Sequence, residues 1–191
     1  MTQVRLTLVR HGRPAVQPAV APRRWALARD AAEGLARLRG SGLLPSAATW
    51  ISSPEPKALA TAAALTDRTV ITVDDLREAE RPATWFDEPE EFVAAVRRSF
   101  EVPDESAVPG WETASGTRSR VAAIVRELLA DAEPPDELVL VGHGTAWTLL
   151  VAELTGRTPD LDAWERMAMP DLAILDIPAS GAATLVRDWG G

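Results

Sequence analysis

Short apolar runs alternate with helical patterns along most of this 191-residue chain. Residues 138–141 form a continuous apolar run, which is typical of a strand buried on both faces of a parallel sheet, and residues 4–9 are mostly apolar or β-branched. Gly and Pro interrupt the pattern where elements should end. The pattern predicts strands at 4–9, 49–51, 70–73, 138–141, 172–177 and 183–186, and helices at 27–38, 57–65, 90–100, 121–129 and from about 145 to 154.

Strands that alternate with helices predict an α/β fold with a mostly parallel sheet flanked by helices. The segment from about 78 to 115 differs, because four prolines lie there among many acidic residues. We expect this segment to form a small helical or irregular insertion over the carboxyl ends of the strands. The chain length favours a single domain over residues 1–191.

The amino-acid composition excludes or argues against several classes of function. The chain has no Cys, which excludes disulfide scaffolds, thiolate zinc sites, iron–sulfur clusters and cysteine nucleophiles. A net charge of −8 argues against nucleic acid or an anionic membrane as a partner. No apolar run approaches the ~18 residues of a membrane span, and no signal-peptide pattern is present, so we expect a cytoplasmic protein. The sequence does not indicate an oligomeric state.

The only two histidines, His11 and His143, each follow a strand predicted to be buried. Ligands of open α/β sheets collect at the carboxyl ends of strands, and the glycines beside both histidines allow a close backbone approach. Arg10 and Arg13 offer forked donors suited to phosphate oxygens, and their charges should lower the pKa of His11 and keep its lone pair available. This pattern favours phosphoryl transfer, with solvated loop arginines as the alternative.

Other catalytic templates are missing from the sequence. It contains no P-loop, dinucleotide-binding, H-E-x-x-H or G-x-S-x-G motif. A metal site built on the two histidines and nearby carboxylates stays open as an alternative, although the Arg10 cation would repel a divalent ion.

Several short motifs occur together in one order along residues 4 to about 155. They are Leu8-Val9-Arg10-His11-Gly12, Ser52-Ser53-Pro54-Glu55-Pro56-Lys57-Ala58, Leu76-Arg77-Glu78, the weaker Pro109-Gly110-Trp111-Glu112-Thr113, and Val141-Gly142-His143-Gly144. Together they closely resemble the motifs of the histidine phosphatase superfamily, also called the phosphoglycerate-mutase-like family. The resemblance implies a metal-independent enzyme of the histidine acid phosphatase type that needs no cofactor and acts on a phosphorylated substrate. The net charge of −8 would slow the encounter with highly anionic substrates and so favours a small phosphorylated substrate.

The resemblance also implies roles for individual residues. His11 would attack phosphorus to form a phosphohistidine, while Arg10, Lys57 and His143 hold the transferred oxygens. Glu78 would donate a proton to the leaving alcohol and later activate water, with the neighbouring Glu80 as the alternative donor. The donor needs a raised pKa, which the negative phosphate of the substrate would provide.

A residue of one motif departs from the family pattern, and other residues in or near the motifs are further candidates for contact with the substrate. Lys57, the only lysine of the chain, stands where the family usually has Arg, so it would bind phosphate as a point charge instead of a bidentate fork. We expect Arg13, Gly144 and Thr145 to contact the substrate. A further set of aromatic residues would form either an apolar wall over the site or a small core of the insertion: Trp85, Phe86 and Trp111.

The leading hypothesis is a phosphomonoesterase that acts on a small phosphate monoester. A phosphoglycerate-type mutase would retain the same residues, but the chain is short for a mutase of this family. A phosphatase for phosphoproteins would need a wide, shallow mouth. A non-catalytic phosphate-binding or interaction module would keep Arg10 and the histidines and would lose the proton donor.

Overall fold

A six-stranded sheet lies at the centre of the computed structural model, which describes residues 3–83, 85–130 and 135–190. The strands are β1 (Val4–Arg10), β2 (Thr49–Ser52), β3 (Val70–Thr72), β4 (Glu137–Gly142), β5 (Asp171–Ile177) and β6 (Thr184–Arg187). Their spatial order is β3-β2-β4-β1-β5-β6. The first four strands are mutually parallel, and β5 runs antiparallel to both of its neighbours. The prediction of an α/β fold with a mostly parallel sheet is confirmed.

The described residues form six α-helices. They are α1 (Ala32–Gly40), α2 (Pro56–Leu65), α3 (Pro89–Glu101), α4 (Ala114–Leu129), α5 (Gly144–Thr155) and α6 (Leu161–Arg166). The predicted start of the first helix at residue 27 is wrong, because Leu27 forms an isolated bridge with Pro14 and a short 3₁₀ turn precedes α1. None of these helices is long and apolar enough to span a membrane.

The sheet is buried on both faces, which explains the apolar run in β4. Leu138 and Leu140 pack on the side of α4 and α5, whereas Val139 and Val141 pack on the side of α1 and α2. All four are buried. Successive side chains of a strand point to opposite faces, so a strand covered by helices on both sides needs apolar residues at every position.

The register of the central strands brings the two histidine loops together. Arg10 is paired with Gly142 across β1 and β4, and the amide of His11 donates to the Gly142 carbonyl at 2.9 Å. A side chain at position 142 would collide with Trp147, whose ring carbon lies 2.5 Å from an ideal Cβ there. The indole of Trp147 donates to the Val9 carbonyl at 2.9 Å and so ties α5 to β1. The two loops therefore leave the sheet side by side.

A third apolar cluster lies apart from the two sheet faces. Its buried members are Trp111, Val96 of α3 and Trp164 of α6. Phe86 and Phe92 pack against them. The helix α6 was not predicted, because its six residues are too few for a periodic pattern. Asp160 caps it by accepting a hydrogen bond from the Ala163 amide at 2.8 Å.

Candidate active site

His11 and His143 face each other at the carboxyl ends of β1 and β4. Their ring centroids are 5.2 Å apart with an interplanar angle of 65°. His11 is 6% exposed and His143 is fully buried. The structure thus brings together two residues that lie far apart in the sequence and that the motifs singled out.

The ring of His11 is oriented by its own loop. Its Nδ1 lies 2.7 Å from the Gly12 carbonyl oxygen, which can only accept a hydrogen bond, so Nδ1 carries the proton and Nε2 carries the lone pair. The loop itself is anchored to α2, because the Gly12 amide donates to the Thr61 hydroxyl at 2.9 Å. This arrangement prepares Nε2 as a nucleophile.

Burial is the main reason why the pKa of His11 lies well below its ordinary value of 6.5. The neighbouring His143, Lys57 and Arg10 lower this pKa further, and the hydrogen bond to Gly12 opposes them. The direction agrees with the expectation from the sequence, but burial contributes more than the cations do. Arg13 has a different environment: its exposed guanidinium pairs with Asp30 at the mouth of the cavity.

The ring of His143 contacts two residues of the segment that directly follows β2. Its Nε2 lies 2.7 Å from the Ser53 hydroxyl and 3.5 Å from Glu55 Oε1, while its buried Nδ1 has no partner among the described residues. Burial lowers the pKa of His143 to about 3. Helix α2 begins at Pro56, so Ser53 lies before the helix, where its hydroxyl is free to contact His143.

Arg10 is fixed at the end of β1. Its Nη1 donates to the Met167 carbonyl at 2.7 Å, and its guanidinium packs so closely on Gly144 that an ideal Cβ there would lie 3.1 Å from Nε. Burial lowers the pKa of Arg10, and the charges of Glu78 and Asp171 oppose this effect. Arginine stays protonated near neutral pH, so the cation is held in place beside the histidines.

Lys57 is buried in an ion pair that the sequence did not predict. Its side chain and that of Glu55 are 5% and 6% exposed, and Nζ contacts Glu55 Oε2 and donates to the Pro22 carbonyl at 2.8 Å. Glu55 also accepts a hydrogen bond from the Glu78 amide at 2.9 Å. Glu55 occupies a variable position of the resembled motif, so no pattern distinguished it, although a nearby acid is a natural partner for a lone buried lysine.

Glu78 lies at the N-terminus of α5, where backbone amides point at its carboxylate. The amides of Ala146 and Thr145 donate to its two oxygens at 3.0 and 3.2 Å, and Arg81 lies 3.3 Å from Oε2. Burial alone would raise the pKa of Glu78, but Arg81, His143 and the backbone amide of Ala79 outweigh it and lower this pKa. The protein's own groups favour the carboxylate, so the rise that a proton donor needs has to come from the phosphate of the substrate.

The remaining predicted residues lie at different depths. The carboxylate of Glu80, the alternative donor, is exposed and pairs with Arg23 at 3.3 Å. Gly144 lines the cavity, whereas Thr145 is buried behind its wall and uses its amide to bind Glu78.

One cavity of about 1080 Å³ joins the catalytic candidates to an aromatic wall. Arg10, His11, Lys57, Glu78 and His143 all line it. Its far side is formed by aromatic residues of the segment 78–115: Trp85, Phe86, Phe92 and Trp111. The aromatic wall, as we call these four residues, combines the two roles considered from the sequence, because Trp111 belongs both to the third apolar cluster and to the cavity lining.

Arg81 connects the catalytic candidates to the aromatic wall, and sequence reasoning missed it. Its guanidinium lies 5.2 Å from the ring centroids of both Phe92 and Trp111 while it pairs with Glu78. No signal in the sequence distinguished it, because its role depends on contacts between distant segments. Among the residues that the structure describes, no group of three or more His, Asp or Glu could hold a metal ion.

Comparisons with known proteins identify the fold. Similar solved structures include mycobacterial glucosyl-3-phosphoglycerate phosphatase (21% identity, 99% of each chain covered, TM-score 0.72). Others are YhfR of Bacillus stearothermophilus (20% identity, 96% of each chain, TM-score 0.74) and a phosphoserine phosphatase of Entamoeba histolytica (17% identity, 100% of this chain and 98% of that chain, TM-score 0.72). At these identities the similarity establishes the fold.

The family assignment depends on the sequence comparison. A search of curated proteins found no significant match. The family model of the histidine phosphatase superfamily (branch 1) matches residues 6–189, which is nearly the whole chain. The chain therefore belongs to the histidine phosphatase superfamily, branch 1.

Proposed function

We propose that this protein hydrolyses phosphate monoesters without a metal ion, through a phosphohistidine formed on His11. The observation that carries the proposal is the hydrogen bond from His11 Nδ1 to the Gly12 carbonyl, which leaves Nε2 unprotonated inside the cavity. Membership of the superfamily supports it. Burial lowers the pKa of His11, which favours the neutral form that a nucleophile needs. The proposed enzyme is of the acid phosphatase type.

In the first step, His11 Nε2 attacks phosphorus and the bond from phosphorus to the alcohol oxygen breaks. Glu78 gives its proton to that oxygen, so the alcohol leaves neutral. Arg10 and Lys57 stabilise the charge on the transferred oxygens. In the second step, water attacks phosphorus, Glu78 accepts the proton of the water, and the bond from nitrogen to phosphorus breaks to return free His11 and inorganic phosphate.

Lys57 can take part without leaving its ion pair. An ammonium has three N–H donors, and Glu55 and the Pro22 carbonyl occupy two of them. The third is available for one phosphate oxygen. Lys57→Arg should therefore retain or raise turnover, because the guanidinium adds donors at the same position.

The segment 78–115 acts, in this proposal, as a cap within a single domain over residues 1–191. Its Glu78 and Arg81 reach the cavity from one side, and its Phe86, Phe92 and Trp111 line the same cavity. The nearness of Glu78 to His143 supports an enzyme over a phosphate-binding module, because a module has no need of a proton donor there.

Hydrolysis of 4-nitrophenyl phosphate in the presence of a chelator tests the proposal. Turnover should persist in chelator and be lost in His11→Ala. With an alkyl phosphate, Glu78→Gln should lose roughly 10²- to 10⁴-fold in kcat, as expected for a general acid. The matched variant Glu80→Gln should stay within about threefold of the wild type. Turnover that survives in His11→Ala, or equal losses in the two glutamine variants, would contradict the assigned roles.

A further inference from the structure

We propose that the aromatic wall forms a subsite for an apolar, preferably aromatic, leaving group. This inference rests on the proposed function, because the subsite would select the alcohol whose phosphate ester is cleaved. The cavity has a volume of about 1080 Å³, which is at the upper end of the range for sites that enclose drug-sized ligands. Inorganic phosphate needs only a small part of it, so the rest is available to the group attached to the phosphate.

Exposed apolar side chains concentrate at this cavity. The described residues include six large hydrophobic side chains that are exposed, and three of them line the cavity: Trp85 at 49%, Val16 at 48% and Met169 at 40%. Isolated exposed hydrophobics are common on soluble proteins, but their grouping around one cleft is a feature of binding sites. An apolar ligand would cover them and gain the free energy of removing that surface from water.

Three rings of the aromatic wall, Phe86, Phe92 and Trp111, pack against one another. Phe86 packs edge-on against Phe92 and Trp111 with centroid distances of 6.0 Å, and Trp111 is buried. Rings held in fixed orientations bind a flat apolar group with little loss of conformational freedom.

Charge pairing in the same region argues for an apolar group over a second anionic group. Arg81 is paired with Glu78 and lies over two rings of the aromatic wall. Apart from Arg10, the proposed phosphate ligand, three of the four remaining arginines in the lining are also paired, Arg13 with Asp30, Arg23 with Glu80 and Arg77 with Asp75. The fourth, Arg24, has no salt-bridge partner among the described residues. Since Glu78 is the proposed donor to the leaving oxygen, a leaving group bonded to that oxygen would extend past Arg81 toward the wall.

The test compares two ligands that differ only in the apolar group. Binding of 2-phenylethylphosphonate and of ethylphosphonate is measured by calorimetry, since phosphonates are not hydrolysed. The wild type should bind the phenyl ligand at least tenfold more tightly, and Trp85→Ala should reduce this ratio at least threefold. Trp85→Phe should restore most of it. Val186→Ala, which removes an apolar side chain of similar exposure (52%) that does not line the cavity, should leave the ratio unchanged.

Turnover of the matching esters separates the two proposals. The alcohols released from 2-phenylethyl phosphate and ethyl phosphate are of similar acidity, so the ratio of their kcat/KM values reports binding of the apolar group. If the phenyl preference in binding is present and neither ester is hydrolysed, the subsite stands and the proposed function is wrong. If both esters are hydrolysed equally well and the phosphonates bind equally or not at all, the subsite is refuted and the enzyme stands.

Discussion

The buried pair of Glu55 and Lys57 predicts that stability and activity will respond differently to the same substitutions. Lys57→Met removes the cation and leaves the Glu55 carboxylate in a site where its side chain is 6% exposed. Breaking a buried pair in this way costs about 3–5 kcal/mol. We expect about 3 kcal/mol here, because Glu55 still accepts the hydrogen bond from the Glu78 amide.

The double variant Glu55→Gln/Lys57→Met should recover most of that loss. Both charges are then absent, and replacement of a buried pair by neutral residues is often without cost. Urea unfolding followed by tryptophan fluorescence measures the free energies, and Lys57→Met should lower Tm by about 6–12 °C, from a shift of roughly 2–4 °C for each kcal/mol. Turnover should stay low in both variants, because both lack the proposed phosphate ligand.

The control is the single variant Glu55→Gln, which completes a double-mutant cycle. It should also be destabilised, because it leaves the Lys57 ammonium buried with the Pro22 carbonyl as its other partner. Additive losses in the double variant would refute the reasoning, as would a double variant that regains full turnover.

Two further predictions concern stability. Gly142→Ala should destabilise the fold by about 1–3 kcal/mol in urea unfolding, since the new Cβ would lie 2.5 Å from the buried Trp147 ring. In the control variant Gly40→Ala, the new Cβ meets nothing within 4 Å, so its stability should be unchanged or higher. Equal losses of stability in the two variants would contradict the steric explanation. Stability should also fall from pH 7 to pH 5, because the unfolded chain protonates its histidines below their ordinary pKa of 6.5, while the lowered pKa values of His11 and His143 keep them neutral in the fold. Each histidine should contribute roughly 1–2 kcal/mol to this loss, so His11→Asn should reduce it; an unchanged pH dependence in the variant would show that His11 is not held neutral.

The sequence predicted the central sheet well because a strand that is buried on both faces is apolar at every position, as residues 138–141 illustrate. It predicted helix ends less well. Leu27 continues the helical spacing of α1, but it lies before the helix, where its backbone forms a bridge with Pro14 and its side chain packs on the same apolar cluster as α1. Periodicity alone does not distinguish such a residue from one inside the helix. The short connection between β5 and β6 allows their antiparallel pairing, but the pattern of apolar positions alone does not specify it.

The sequence predicted those residues of the candidate site that the short motifs single out. Arg10, His11 and His143 follow strand ends, and strand ends of one sheet meet at one edge. Glu55 and Arg81 were missed although their partners Lys57 and Glu78 are close in sequence, because only the folded chain shows that both pairs are largely shielded from solvent. The lowered pKa of Glu78 was missed as well, since the charges of Arg81 and His143 and the backbone amide of Ala79 outweigh the effect of burial only in the folded chain.

Direct detection of a phosphoryl group on His11 would test the central claim most directly. The enzyme is mixed with a phosphate monoester labelled on phosphorus, quenched within milliseconds at alkaline pH, and digested for mass spectrometry. We expect an acid-labile, alkali-stable phosphoryl group on the peptide that contains His11, and no label in His11→Ala. Turnover that continues without this adduct, or a label on another residue, would contradict it.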